Sequence, residues 1–189
     1  MRYAAHLRGS RNRTALLVGF ATACRRSEIA SMKLGHVTEV DGELEILIPE
    51  SKSDQTGEGR LKGVPFSSDP DTCPVRALRR WAGAAAIEEG PIFRAVPRSA
   101  KIATGEEAEP ITGKTVRNVI GDAAEDAGLD PERMAGHSLR RGHITQGALH
   151  GAGLDRLMKQ AGHADPRTTA EYVEDARRME TTTAQDLGL

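Results

Sequence analysis

Aromatic residues make up only 3% of this 189-residue chain, too few to supply the stacking platforms on which single-stranded nucleic acids are commonly held. Cysteine is as scarce. Cys24 and Cys73 stand far apart and neither belongs to a C-x-x-C pair, which argues against a disulfide framework or a zinc ribbon and leaves two structural thiols. No apolar run approaches the length of a membrane span, and the arginine-rich start from Met1 to Arg13 lacks the apolar stretch of a secretory signal. A soluble, cytoplasmic protein with no membrane partner is expected. Internal repeats and low-complexity tracts are missing too, and no Pro/Gly/Ser-rich linker divides the chain, so residues 1–189 read as one domain with one sizeable core.

A strong charge of either sign is also lacking. The net charge is −1 and the pI near 6.6, which taken alone argues against a nucleic-acid partner. The average conceals a segregation. Between Met1 and Leu34, Arg2, Arg8, Arg11, Arg13, Arg25, Arg26 and Lys33 stand against Glu28 alone, a segment charge of +6. Between Ile102 and Arg133 eight carboxylates face Lys114, Arg117 and Arg133, a segment charge of −5. One face can therefore meet phosphates while another repels them, and backbone contact with duplex DNA fits better than single-strand binding.

What is present reads as mainly α with a small antiparallel β-sheet. Thr14 to Thr22 and Ser27 to Leu34, the latter stopped by Gly35, read as two short helices with Arg25 near their junction. Glu43–Ile48 alternates charged and apolar residues, and Arg60–Phe66 resumes an extended pattern across a turn-rich loop, so a β-hairpin is expected with Lys52 where the first strand enters that loop. Asp71 or Thr72 is expected to cap a helix with Pro74 in its first turn and an end near Ile87. A loop from Pro91 to Glu109 carries a short candidate strand at Ile92-Phe93. Thr112 opens a helix closed by Gly128, Ser138 caps another reaching about His150, Asp155–Ala161 is a short helix, and Asp165-Pro166 starts the helix bearing Tyr172. The tail from Met179 looks helical and weakly apolar.

Several residues carry chemistry. His137-Ser138-Leu139-Arg140 sets a histidine and an arginine three apart on one helix face, where both can converge on one oxygen cluster. Arg25-Arg26-Ser27-Glu28 lies far upstream; Gly162-His163 is followed nine residues later by Tyr172. Each has a plainer reading: Glu28 as an ordinary N-terminal helix charge, His163 as part of a helix cap, Tyr172 as an amphipathic core residue. His143 and His150, seven apart, suggest metal ligands, but no carboxylate or cysteine completes a set, so structural roles and no metal are expected.

Together these residues resemble the catalytic domain of the tyrosine recombinases, the phage integrase family, over roughly Thr14 to Val173. Thr22-Ala-Cys-Arg25-Arg-Ser-Glu28 resembles the first arginine box, Ser51-Lys52-Ser53 the hairpin lysine, Gly136-His137-Ser-Leu-Arg140 the H-x-x-R box, and Gly162-His163 with Tyr172 the terminal pair. Ala23 stands where glycine is usual, Cys24 where leucine is usual and Ala161 where leucine is common; these read as packing changes that touch no catalytic group. The resemblance implies Arg25, Lys52, His137, Arg140, His163 and Tyr172 as catalytic residues, with Lys62 on the partner strand able to exchange roles with Lys52 if the register shifts. Glu28 is expected to orient Arg25 or hold the helix junction, and Arg26 to touch backbone phosphate. The implied activity is site-specific recombination through a 3′-phosphotyrosyl intermediate, with no cofactor. Implied partners are double-stranded DNA, further copies of the chain in a tetramer on DNA, and accessory DNA-bending proteins. The tail 179–189 is a candidate for docking on a neighbour or folding back in cis. The amino-terminal DNA-clamping domain of such enzymes is not in this sequence, which suggests a fragment or a single-domain variant. A type IB topoisomerase and a catalytically idle DNA-binding module are the rival classes.

Overall fold

The computed structural model describes residues 2–49 and 59–177. Lys52 and the tail 179–189 lie outside them. The first helix, α1 (Arg2–Thr22), is far longer than its apolar carboxyl half suggests. Its buried stripe runs through Ala4, Leu7, Arg11, Thr14, Ala15, Val18 and Thr22, a helical period whose polar members hide it in the sequence. Arg11 Nη1 donates to the Arg94 carbonyl at 3.1 Å, and Thr14 Oγ1 to the Ser10 and Ala77 carbonyls at 2.8 and 3.1 Å. Buried polar groups so satisfied can sit on a core-facing stripe. Gly19 is the point of closest approach: a Cβ there would lie 2.5 Å from Ile29 Cδ1 and 3.0 Å from Leu139 Cδ1.

Helix α2 (Arg26–Ala30) is shorter than the expected Ser27–Leu34. After Ala30 the chain leaves the helix and pairs with the Pro91 segment: the Ile92 amide donates to Met32 O at 2.8 Å and Lys33 bridges Pro91. Ile92-Phe93 lies between the isolated bridges at Pro91 and Arg94 instead of forming a strand. The sheet has three strands in the order β1 (Val37–Val40), β2 (Glu43–Ile48), β3 (Arg60–Val64), all antiparallel. β1 went unread although Asp41-Gly42, with φ of 52° and 85°, makes a two-residue turn between Val40 and Glu43, a strong hairpin signal. β2 and β3 pair as expected, with Ile48 opposite Arg60 and Ile46 opposite Lys62.

Helix α3 (Pro74–Ala84) is capped at Cys73, not at Asp71 or Thr72, and without a side-chain capping bond; the Thr72 hydroxyl donates to Asp69 Oδ2 at 2.7 Å. It stops before Ile87 where Ala86 turns to a φ of 48°. Trp81, fully buried, donates its indole N–H to Ile92 O at 2.9 Å and pins the following loop. Helix α4 (Gly113–Asp126) is capped by Thr112, whose hydroxyl accepts from the Thr115 amide at 3.1 Å, and is followed by Gly128 at a φ of 71°. In α5 (Ser138–Leu149) the cap position falls to His137; Ser138 is the first helical residue, and its hydroxyl accepts from the Ala135 amide. Helices α6 (Leu154–Ala161) and α7 (Pro166–Ala176) complete the order, the latter capped by Asp165.

Two apolar clusters result. The larger joins α1–α4, the sheet and the loop through Ile92 and Phe93; the smaller is Ile144, Ala148, Leu157 and Ala161 from α5 and α6, with Tyr172, Val173 and Ala176 of α7 packed on it. The fold is mainly helical with a small antiparallel sheet, and among the described residues no helix is long and apolar enough to cross a membrane.

Candidate active site

The seam between these clusters is a cleft of about 410 Å³ lined by Arg25, His137, Arg140, Arg141, His163 and Tyr172, with Gly162, Ala164 and Thr168. It therefore brings together Arg25, His137, Arg140, His163 and Tyr172; Lys52 lies outside the described residues, and Lys62, its alternative, is not among the lining residues. Each cleft residue has a local reason to point there. Arg25 is the residue before α2, in extended conformation. The Glu28 carboxylate reaches back to accept from the Arg25 amide at 2.6 Å and from its Nη1 at 2.8 Å. Glu28 thus ties down an orphan N–H of the helix start and aims the guanidinium at once. Burial alone would raise the Glu28 carboxyl, but these hydrogen bonds and the charge of Arg60 hold it below its ordinary value.

Arg140, in the first turn of α5, is 4% exposed. Its Nε donates to His163 Nε2 at 3.2 Å and its Nη1 to the Ala23 carbonyl at 3.4 Å. Ala23 has a φ of 53°, which corrects the reading of that departure as mere packing. The position calls for a left-handed backbone, where glycine is favoured, and its carbonyl holds a site arginine.

His163 follows the left-handed Gly162 that ends α6. Since Arg140 Nε can only donate, His163 Nε2 accepts and Nδ1 carries the proton, which it donates to Thr169 Oγ1 at 2.8 Å. Thr169 is fully buried in the first turns of α7, and Tyr172 lies three residues on, on the same helix face. The nine-residue spacing thus has a physical cause: the threonine that holds the histidine also sets the phase of the tyrosine. The two rings stack at 6.4 Å with 28° between planes. Tyr172 is half-buried, and the Arg141 guanidinium lies 5.5 Å from its ring centroid.

The electrostatics are lopsided. Burial, then Arg140 and Arg25, push His163 down to about 4, and burial with the same arginines also lowers His137. Burial and neighbouring Arg25 bring Arg140 down to about 10, still cationic at neutral pH. Both imidazoles are therefore neutral at pH 7. The cleft has cationic walls and no carboxylate among its lining residues, a surface suited to an anion with several oxygens.

Arg60, Arg141 and Thr169 were not legible in the sequence as parts of the site, and Lys62 was read there only as the alternative to Lys52. Lys62 does not line the cleft: it is 2% exposed, its Nζ donates to the Lys159 carbonyl at 3.2 Å and to that of Gln160, and burial lowers it to about 8. Arg26 is exposed. His143 packs edge-on against Phe20, and His150 Nδ1 lies 2.8 Å from the Gln146 carbonyl. Cys24 and Cys73 are buried and unpaired with each other.

Residues 2–179 match the phage integrase family. The chain is 33% identical over 168 residues to an integrase/recombinase XerD homologue of Selenomonas ruminantium, covering 89% of this chain and 48% of that protein; it spans about half the length of that relative. Among solved structures it resembles the XerH recombinase in a post-cleavage complex with a palindromic difH substrate, at a TM-score of 0.71 and 17% identity, covering 95% of this chain and 46% of the other. The XerA recombinase gives a TM-score of 0.63 at 18% identity over 98% of this chain and 60% of that one. A lambda integrase dimer bound to a core site gives 0.59 at 20% over 87% and 52%.

Proposed function

The chain belongs to the phage integrase family, and from that premise we infer that it carries the catalytic centre of a site-specific DNA recombinase, of the integration or excision type, acting on double-stranded DNA. The observation that carries this reading is the single cleft in which Tyr172 and two guanidinium groups of the same chain meet. Tyr172 Oη attacks the scissile phosphorus in line. The new Oη–P bond forms as the P–O5′ bond breaks, giving a 3′-phosphotyrosyl link and a free 5′-hydroxyl, and attack by a partner strand's 5′-hydroxyl reverses the step. Bond energy is conserved, so no cofactor is required.

Arg25 and Arg140 hold the non-bridging oxygens. Among the described residues the protein engages Nη1 of Arg25 and Nε and Nη1 of Arg140, leaving Nη2 of each fork for phosphate. A preorganised donor of this kind is worth roughly 10²–10³ in rate. His137, neutral and beside both arginines, takes the phenol proton. His163 acts first on Arg140, which occupies its Nε2, and turns to phosphate only if that bond yields. Lys52 protonates the departing 5′-oxygen, an assignment resting on its place in the sequence. Strand exchange joins several such centres, which implies a tetramer on DNA; the meeting of Tyr172 with Arg25 and Arg140 in the cleft of one chain supports cleavage in cis.

The test is a nicked duplex that releases a short downstream fragment bearing the new 5′-hydroxyl after cleavage, made from genomic DNA ends captured on the protein. Wild type should leave an SDS-resistant adduct, and Tyr172→Phe should bind the duplex without attaching to it. An adduct formed by the phenylalanine variant would defeat the assignment. Relaxation of supercoiled plasmid by the monomer, with no exchange between sites, would favour a topoisomerase.

A further inference from the structure

Arg60 is the first residue of β3, where the chain returns from the hairpin loop, and it does not line the cleft. Its guanidinium nevertheless reaches two segments that deliver cleft residues. Nη2 donates to Glu28 Oε1 at 2.6 Å, the oxygen that also accepts from Arg25 Nη1 at 2.8 Å. Nη1 donates to the Gly162 carbonyl at 3.3 Å, one residue before His163. Gly162 has a φ of 64°, and a Cβ there would fall inside the Arg60 guanidinium. The left-handed turn and the missing side chain make the space that the arginine fills. Lys62, two residues on, grips the terminal carbonyls of α6 from the same strand.

We propose that Arg60 is a positioning residue for the phosphate site: by bridging Glu28 to the Gly162 carbonyl, it fixes the separation of Arg25 and His163. The proposal rests on the recombinase reading above. Three features favour it over an ordinary ion pair. Glu28 is 9% exposed, so its carboxylate is held by protein and not by water. The same oxygen serves Arg60 and Arg25, so loss of one partner alters the geometry of the other. The two acceptors lie on different segments, and a planar fork can span them where a single ammonium reaches one.

The test compares Arg60→Met, Arg60→Lys, Glu28→Gln and the double variant Glu28→Gln/Arg60→Met. Readouts are single-turnover adduct formation on the nicked duplex, gel-shift affinity, thermal unfolding and the NMR titration of the His163 imidazole. Arg60→Met should slow adduct formation by roughly 10²-fold, the cost of misplacing reacting groups by about 1 Å, while affinity changes little. Arg60→Lys should recover only part of the rate. In the Glu28→Gln background the further loss should be small, because both variants break one strut. The His163 titration should move upward from about 4, since Arg60 is among the cations depressing it. Losses that multiply in the double variant would overturn the proposal, as would an Arg60→Met enzyme as fast as wild type. Should Arg60→Met unfold, an unimpaired Arg60→Lys would overturn it equally. A wild-type protein that forms no adduct defeats the recombinase reading itself, a result distinct from all of these.

Discussion

Thr169→Val isolates the bond that holds His163. Valine keeps the branched shape of threonine and removes the one oxygen that accepts from His163 Nδ1 at 2.8 Å. Thr169 is fully buried, so water cannot readily take its place. A typical hydrogen bond contributes about 0.5–1.5 kcal/mol, and an orphaned buried donor costs about 1–3 kcal/mol. Because His163 is only half-buried, the lower half of that range applies, giving roughly 1–2 kcal/mol. For a domain of this size each kcal/mol shifts the melting temperature by about 2–4 °C, so Thr169→Val should melt about 2–8 °C lower. Thr169→Ser, which retains the oxygen, should melt near wild type. The rate should fall as well, because the ring would lose the tautomer that lets Nε2 accept from Arg140. Thermal unfolding at neutral pH, followed by adduct formation at a temperature where both variants are folded, separates the two effects. A Thr169→Val protein as stable and as active as wild type would refute this account of the nine-residue spacing.

Ala23→Gly should stabilise the protein. A non-glycine residue in left-handed backbone costs about 1–2 kcal/mol, against about 0.5–1 kcal/mol for the extra freedom of unfolded glycine. The expected gain is about 0.5–1 kcal/mol, read by urea titration, and a loss of stability would show that Ala23 is unstrained at its φ of 53°. The histidines predict the acid response. His163, lowered to about 4, and His137 and His143, also lowered, bind protons more readily when unfolded. Their contribution is complete above the ordinary histidine value of 6.5 and is lost as pH falls from there toward 4. Denaturant titrations between pH 7 and 4 should show a slope that His163→Gln makes shallower; an unchanged slope would place the acid sensitivity elsewhere.

The hairpin and the helices from α4 onward were legible because each announces itself locally, whereas Arg25, His137, Arg140, His163 and Tyr172 were legible only together, through the family resemblance of their order and spacing. Thr112, Gly128 and Asp165-Pro166 mark helix ends by their own chemistry. Legibility failed where a polar group is satisfied by a distant partner. Arg11 interrupts the apolar stripe of α1 and looks like an end to it, yet the Arg94 carbonyl, 83 residues away, makes it a core residue. Arg60 reaches Glu28 and Gly162 only through the fold, so no spacing rule could find it. Asp41-Gly42 is the exception, a local signal that was simply passed over.

The same distinction explains how the cleft is built. Arg25 comes from the larger apolar cluster, and Tyr172 packs on the smaller, with α5 carrying His137 and Arg140 along their boundary. Packing alone leaves two clusters free to shift by a fraction of an ångström, enough to spoil a phosphate site. Polar bonds cross the seam where accuracy is needed: Arg140 to the Ala23 carbonyl, Gln160 Nε2 to the Ala21 carbonyl at 2.8 Å, and Arg60 to Glu28 on one side and Gly162 on the other. These bonds are directional, so they define the approach of one cluster to the other more sharply than apolar contact does. They also gather Arg25, Arg60 and Arg140 about one carboxylate, Glu28. In the unliganded protein that excess of positive charge is opposed by burial and mutual repulsion, which is why Arg140 and His163 both titrate low. A phosphate entering the cleft offsets the repulsion and raises His137 and His163, so binding of DNA should take up protons and tighten as the pH is lowered toward the depressed value of His163. Affinity measured at constant ionic strength would show it, and a flat profile would mean that phosphate does not reach the His137 and His163 side of the cleft.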